Sequence, residues 1–161
     1  MSLVGEVHIA VAIYSVIAGA LVLRNQKGTV LHTWLGRSFV VAMLATDITA
    51  FLFIPSSGIS WFHPLAVFNF AYIALGLWHA YFRRSNQWLV YHYYFFAYAF
   101  LGVVAAAAGR VPLLFIDDIM NAALIAIAVV FCIGVPLVER TGKVLRLRQA
   151  HAAAISTHRA A

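Results

Sequence analysis

Three of the chain's seven histidines, His63, His79 and His92, lie in one very apolar stretch from Trp61 to Phe100. Imidazole in such surroundings has few uses: it ligates a metal ion or haem, passes a proton, or satisfies a neighbour's hydrogen bond. The three are carried by two apolar segments folded about the short basic knot Arg83-Arg84. His8, Asp47, Asp117 and Asn121 place further ionisable or amide groups in other apolar runs, and His32 and Arg37 stand near the start of one of them. Each is costly in hydrocarbon unless it faces water or a partner, so these positions are where chemistry is to be sought.

The elements that carry them follow from composition. At 161 residues the chain suits one domain, yet 64% of it is hydrophobic and only 10% charged, well outside soluble globular usage. Apolar runs of about 20 residues match a hydrocarbon core of roughly 30 Å, and lipid offers no partner for free backbone groups, so the runs must be helical. Their continuity, without polar alternation, excludes a transmembrane barrel. The sequence predicts an all-α, polytopic integral membrane helix bundle. Its five spans are Leu3 to Leu23, Trp34 to Ile54, Phe62 to Phe82, Trp88 to Ala108 and Leu113 to Leu137. Residues 1–138 are the transmembrane bundle in this reading, and 139–161 a basic cytoplasmic tail.

Basic residues alternate with loop parity. The first connection carries Arg24, Lys27 and Arg37, the third Arg83 and Arg84, and the tail Arg140, Lys143, Arg146, Arg148 and Arg159. The second connection, PSSGIS, has no charge and the fourth only Arg110, which puts the N-terminus outside and the C-terminus in the cytoplasm. The leader MSLVGEVH lacks Lys and Arg and carries Glu6, so the first span is expected to be retained rather than cleaved. Trp34, Trp61 and Trp88 each open a span at the headgroup boundary. Loops and tail facing anionic inner-leaflet lipid account for the formal charge of +6, with no nucleic-acid partner. The tail reads either as a short amphipathic helix on that leaflet or as a disordered segment, with His151 and His158 solvated. The single cysteine, Cys132, reads as a buried small hydrophobe.

Helical phase sorts the polar groups. His8 shares a stripe with Ala12, Ser15 and Gly19; Gly36, Val40, Met43 and Asp47 form a second; Asp117, Asn121, Ala128 and Cys132 form a third. Such small-residue faces let helices approach, so each is expected to turn its polar group inward. Glu6, about 200° around the helix from His8, is expected at the interface. Counted from the span centres, His8, Asp47, Asn69 and Asn121 lie about 5 to 7 Å toward the outside, where they are expected to meet. His79 and His92 match in depth at about 9 to 10 Å toward the cytoplasm, with Arg37 at a similar depth and His32 nearer the surface.

The inner pair suits two readings. Neutral imidazoles bind Zn, Cu, Fe or Ni ions, and paired histidines from separate helices hold haem b. Neighbouring helices at about 8 to 10 Å favour an ion over a porphyrin between them. The bland alternative has His79 and His92 bonded to Tyr72, Tyr91 or Tyr94, or lying among headgroups. His63 with Pro64 suits the first turn of an interfacial helix start, although with Asp117 it sits at the depth where His8 would form the mouth of a site. Asp117 and Asp118 equally suit the carboxylates favoured in a helix's first turn. The run YHYYFFAY reads as packing and lipid-facing surface. Gly102, Ala105, Ala106 and Gly109 read as a close-packing face for a neighbour or a homodimer.

At KGTVLHTWLGRSFVVAML the chain resembles a family of uncharacterised bacterial predicted membrane proteins, a domain of unknown function. The matching residues are His8; Lys27, Gly28, His32, Gly36, Arg37 and Met43; and Arg83, Arg84 and His92, covering helices one to four. The resemblance implies a multi-pass protein of the bacterial cytoplasmic (inner) membrane and assigns no activity. A more distant similarity, in histidine-bearing helices and a His-xxx-Gly-like start, points to small membrane b-type cytochromes. Here His32 stands nearer a loop and His63 nearer a boundary than that pattern asks.

The expected function is an intramembrane metal-ion (Zn, Cu or Fe) or haem b site serving membrane redox or electron transfer, with His79 and His92 as inner ligands and His8 with Asp47 as the outer group. His63, His32, Asp117, Asn121 and Arg37 are its additional candidates. Two readings of other classes stay open. One is a small proton-coupled transporter with His8, Asp47 and Asp117 as a protonatable path, although the chain shows no inverted repeat and no broken helix apart from Pro136. The other is a non-catalytic accessory subunit of a larger membrane complex. For zinc hydrolysis no serine or glutamate is placed as the base.

Overall fold

The computed structural model describes residues 3–52, 62–111 and 119–160, and among them all regular structure is helical. Five helices follow one another: α1 (Leu3–Arg24), α2 (Val30–Leu52), α3 (Phe62–Phe82), α4 (Trp88–Arg110) and α5 (Ile119–Ala160). All five are long and apolar enough to cross a membrane. Their outward faces carry Trp34, Val41, Phe68 and Ile125, each more than half exposed, which suits contact with lipid rather than water.

The expected spans agree with α1, α3 and α4 to within two residues. α2 begins four residues before Trp34, and the cause is local. Thr29 is its N-cap, its hydroxyl accepting the backbone N–H of His32 at 3.1 Å. Trp34 therefore lies within the first turns of α2 rather than opening it, while Trp61, predicted to open the third span, is outside the described residues.

α1 packs on α2, α2 on α3, α3 on α4, and α4 returns to α1, closing a ring of four; among the described residues α5 packs on α4 alone. The ring is filled by Ala18, Phe39, Met43, Ile73, Ala99 and Val103, with Met43 and Ile73 wholly buried. Gly19 makes this possible, because a side chain there would overlap the rings of Phe39 and Phe100. The α3–α4 turn is short and basic. Arg83 ends α3 with φ of 45°, a left-handed conformation that costs a non-glycine residue about 1 kcal/mol. Its guanidinium lies 4.6 Å over the Trp88 ring, a cation–π contact of similar size.

α5 departs most from expectation. The residues from 139 onward, read as a short helix or disordered tail, continue α5 without a break, so it runs 42 residues, or about 63 Å. Pro136 removes one backbone donor, the one that would meet the Cys132 carbonyl, but does not end the helix. The sequence beyond it is rich in good helix formers such as Leu, Arg, Lys and Ala. The face turned to α4 is also a different one. Asn121, Ala128 and Cys132 are exposed, whereas Ala123, Val138 and Gly142 are buried, Ile127 lies against Gly109, and Gly134 lies against Leu101. The stripe predicted from Asp117 thus points away from α4, with Asp117 itself outside the described residues. The small face of α4 is occupied within the chain, Gly109 against α5 and Gly102 against Asn69 of α3.

Candidate functional site

The stripes predicted on α1 and α2 do turn inward. Ser15 and Gly19 are buried on α1, and Met43 and Asp47 on α2. Asp47 is 3% exposed and meets Asn69, 7% exposed, from α3. Asn69 Nδ2 donates to Asp47 Oδ1 at 3.1 Å and to Oδ2 at 3.4 Å. No cation faces this carboxyl group among the described residues, which sets the pair apart from an ordinary buried salt bridge. On its far side Asn69 Oδ1 is buried and accepts no hydrogen bond there. It faces Gly102 of α4, where even a Cβ would sit 3.6 Å away.

His8 is close in depth but bonds elsewhere. Its Nδ1 lies 2.9 Å from Thr49 Oγ1, two residues beyond Asp47 along α2. The Thr49 hydroxyl proton is directed to the Ala45 carbonyl at 2.7 Å or to that of Thr46 at 3.0 Å. Thr49 must then accept from His8, which places the ring proton on Nδ1 and leaves Nε2 as the basic nitrogen. Arg110, at the end of α4, is near enough for its charge to act on His8. His63 is buried at the same end, its ring 6.2 Å from that of Phe51. Asn69 was expected to meet His8, Asp47 and Asn121. The structure joins it to Asp47, gives His8 to Thr49, and leaves Asn121 on the exposed side of α5.

The other expected pair is also divided. His79 is stacked on Tyr91 at 4.9 Å and on Phe95 at 5.5 Å, rings on one face of α4. His92 turns its Nδ1 toward the Gly76 carbonyl at 3.3 Å and meets Phe96 edge-on at 4.8 Å. A carbonyl only accepts, so His92 is the donor. No ring contact or hydrogen bond joins His79 to His92. Instead His32 and Lys27 are near enough to act on His92 electrostatically. Lys27 closes α1, donating to the Val22 carbonyl at 2.5 Å and the Leu23 carbonyl at 2.9 Å, and burial holds its ammonium below the usual lysine range. Arg37 is exposed and lines an open groove between α1 and α2.

Among the described residues no group of three or more His, Cys, Asp or Glu side chains converges as a metal ion would need. His79, His92, His8 and Asp47 therefore have separate partners rather than one centre. Two groups escaped the sequence reading. Thr49 is recognisable only as a hydroxyl two residues after the inward Asp47. Glu139, assigned to a tail, accepts from Tyr98 at 2.8 Å and from Tyr94 at 3.1 Å; the i, i+4 spacing of those tyrosines was its signal. Comparison with protein-family models, curated proteins and solved structures finds no match.

Proposed function

We propose that the four-helix ring binds and releases a proton at Asp47, with Asn69 as its hydrogen-bonding partner, as the coupling step of a small carrier. In this reading the chain is a multi-pass protein of the bacterial cytoplasmic membrane, N-terminus outside, which its loop charges and its resemblance to uncharacterised bacterial membrane proteins support. The observation that carries the reading is the acid–amide pair, buried between α2 and α3 without a cation among the described residues. An intramembrane carboxyl group is expensive and is a mark of ion or proton pathways.

The chemistry follows from the amide. When Asp47 is ionised it can only accept, and Asn69 Nδ2 donates to it; when Asp47 is protonated it gains a donor, and Asn69 can turn its oxygen to accept. Gly102 opposite Asn69 leaves room for that rotation. His8, whose Nε2 is left basic by the Thr49 bond, is the next protonatable group toward the outer end. Arg110 and His63 lie at that same end.

Infrared spectroscopy of the protein in lipid, titrated from acid to alkaline buffer, tests the step. A carboxyl band that changes with pH and is lost in Asp47→Asn is expected. A band unmoved by pH or by the substitution ends the reading, as would proton-driven flux in proteoliposomes that Asp47→Asn leaves unchanged. The metal or haem reading asks His79, His92, His8 and Asp47 to leave their present partners and has less support from the geometry. A Soret band or stoichiometric metal in purified protein, grown with iron, copper and zinc available, would revive it.

A further inference from the structure

A groove of about 450 Å³ runs along the outside of the ring between α1 and α2. Trp34, Arg37, Val41 and Ala45 form its α2 wall, and Val11 and Tyr14 its α1 wall. From Trp34 to Ala45 it extends eleven residues, or about 16 Å, along α2. Its polarity is one-sided. Arg37 stands toward the end near the α1–α2 turn, about 10 Å into α2, and apart from Ser38 and the Tyr14 hydroxyl the walls beyond it are apolar.

Arg37 makes no hydrogen bond or ion pair among the described residues. Among the described residues no carboxylate answers it. Asp47 is enclosed with Asn69, Glu139 is held by two tyrosine hydroxyls, and Glu6 begins the opposite end of α1. The described carboxylates are thus engaged or at the other end, and Arg37, exposed on the groove, is open to an anion from the surroundings.

We infer that this groove is a binding site for one anionic phospholipid, its phosphodiester on the Arg37 guanidinium and an acyl chain along Val41, Ala45 and Val11. A planar guanidinium presents paired donors that fit phosphate oxygens, and a long basic side chain reaches a headgroup while its stem stays in apolar contact. Trp34, 65% exposed at the same end, suits the headgroup boundary. The site rests on the membrane insertion proposed above and not on the proton chemistry at Asp47.

The test uses full-length protein retaining Trp34 as its sole tryptophan (Trp61→Phe, Trp78→Phe, Trp88→Phe), reconstituted in phosphatidylcholine vesicles. Phosphatidylglycerol with brominated acyl chains is titrated in, against brominated phosphatidylcholine at the same fractions. Trp34 quenching should favour phosphatidylglycerol by about tenfold in apparent affinity, the scale of a charge-assisted contact. Arg37→Gln should bring the two lipids level, Arg37→Lys should keep part of the preference, and Val41→Phe should weaken quenching with the charge intact. Equal quenching by both lipids in the parent protein, or a preference that survives Arg37→Gln, overturns the site. Native mass spectrometry separates the sources of the anion: a retained phospholipid lost in Arg37→Gln supports the proposal, whereas a retained fatty acid or inorganic phosphate alone overturns it. Asp47→Asn should leave the lipid preference as it is, so failure here and failure of the proton reading are told apart.

Discussion

The two ends of the helical ring treat their polar side chains in opposite ways. Toward the end where α2 gives way to α3, polar groups bond to one another across helices: Asn69 to Asp47, and His8 to Thr49. Toward the α1–α2 turn, the histidines sit among aromatic rings, with His79 flat on Tyr91 and Phe95 and His92 spending its donor on a backbone carbonyl. The first arrangement would have to change its hydrogen bonding if Asp47 took up a proton. The second asks for a flat ring at His79 and, at His92, for a flat ring with one donor, so the two ends should respond differently to isosteric substitution.

Asn69→Leu should show the largest effect. It leaves a desolvated carboxyl group without its partner, a loss of about 1 to 3 kcal/mol, read as a lower midpoint in graded SDS unfolding of detergent-solubilised protein. Adding Asp47→Leu should recover most of that loss, since removing both members of a buried polar pair is far milder than removing one. If the double variant is no better than the single, the two residues do not act as a pair.

His92→Phe should cost less, about 0.5 to 1.5 kcal/mol, because it forfeits one neutral hydrogen bond to Gly76 while keeping the ring. His79→Phe should fall within about 0.5 kcal/mol of the parent, since stacking on Tyr91 and Phe95 survives. A larger loss at His79 than at Asn69 would reverse the comparison and return attention to the inner histidines. The smallest effect belongs to Lys27. Its ammonium is held below the usual lysine range by burial, so folding opposes its charge while it stays protonated, and that opposition is relieved as pH rises through the depressed value. Stability should therefore rise slightly from neutral to alkaline pH, and Lys27→Met should flatten the rise.

The helices themselves were legible because apolar runs of this length have few alternatives, and α1 and α2 revealed their inward faces because each has one stripe of small or polar residues. α5 did not. From Asn121 to Leu137 it is apolar on nearly every side, so the polar stripe from Asp117 carried no information about which side meets α4. That choice is made by shape, through Gly134 and Gly142, which admit Leu101 and Tyr94. Depth counting brought Asp47 and Asn69 together correctly but could not separate Thr49 from Asp47 as the partner of His8. The two α2 residues differ by about 3 Å in height and 200° in direction, and only the packing angle of α1 decides between them. Matched depth likewise could not show that His79 and His92 use different sides of the α3–α4 contact.

The grip on Glu139 has a mechanical side. Tyr94 and Tyr98 stand one turn apart on α4 and close on a single carboxylate of α5, while Arg146 covers the Tyr94 ring at 4.9 Å and Gly142 lets that ring come close. A slip of α5 by one residue would carry the carboxylate about 1.5 Å along and 100° around, out of reach of both hydroxyls. The clasp thus acts as a pawl on a long rod, opposing a creep of α5 along α4. About 30 Å of helix lies past Glu139, and a load on that length would reach the ring through this cluster on Tyr94 and Tyr98.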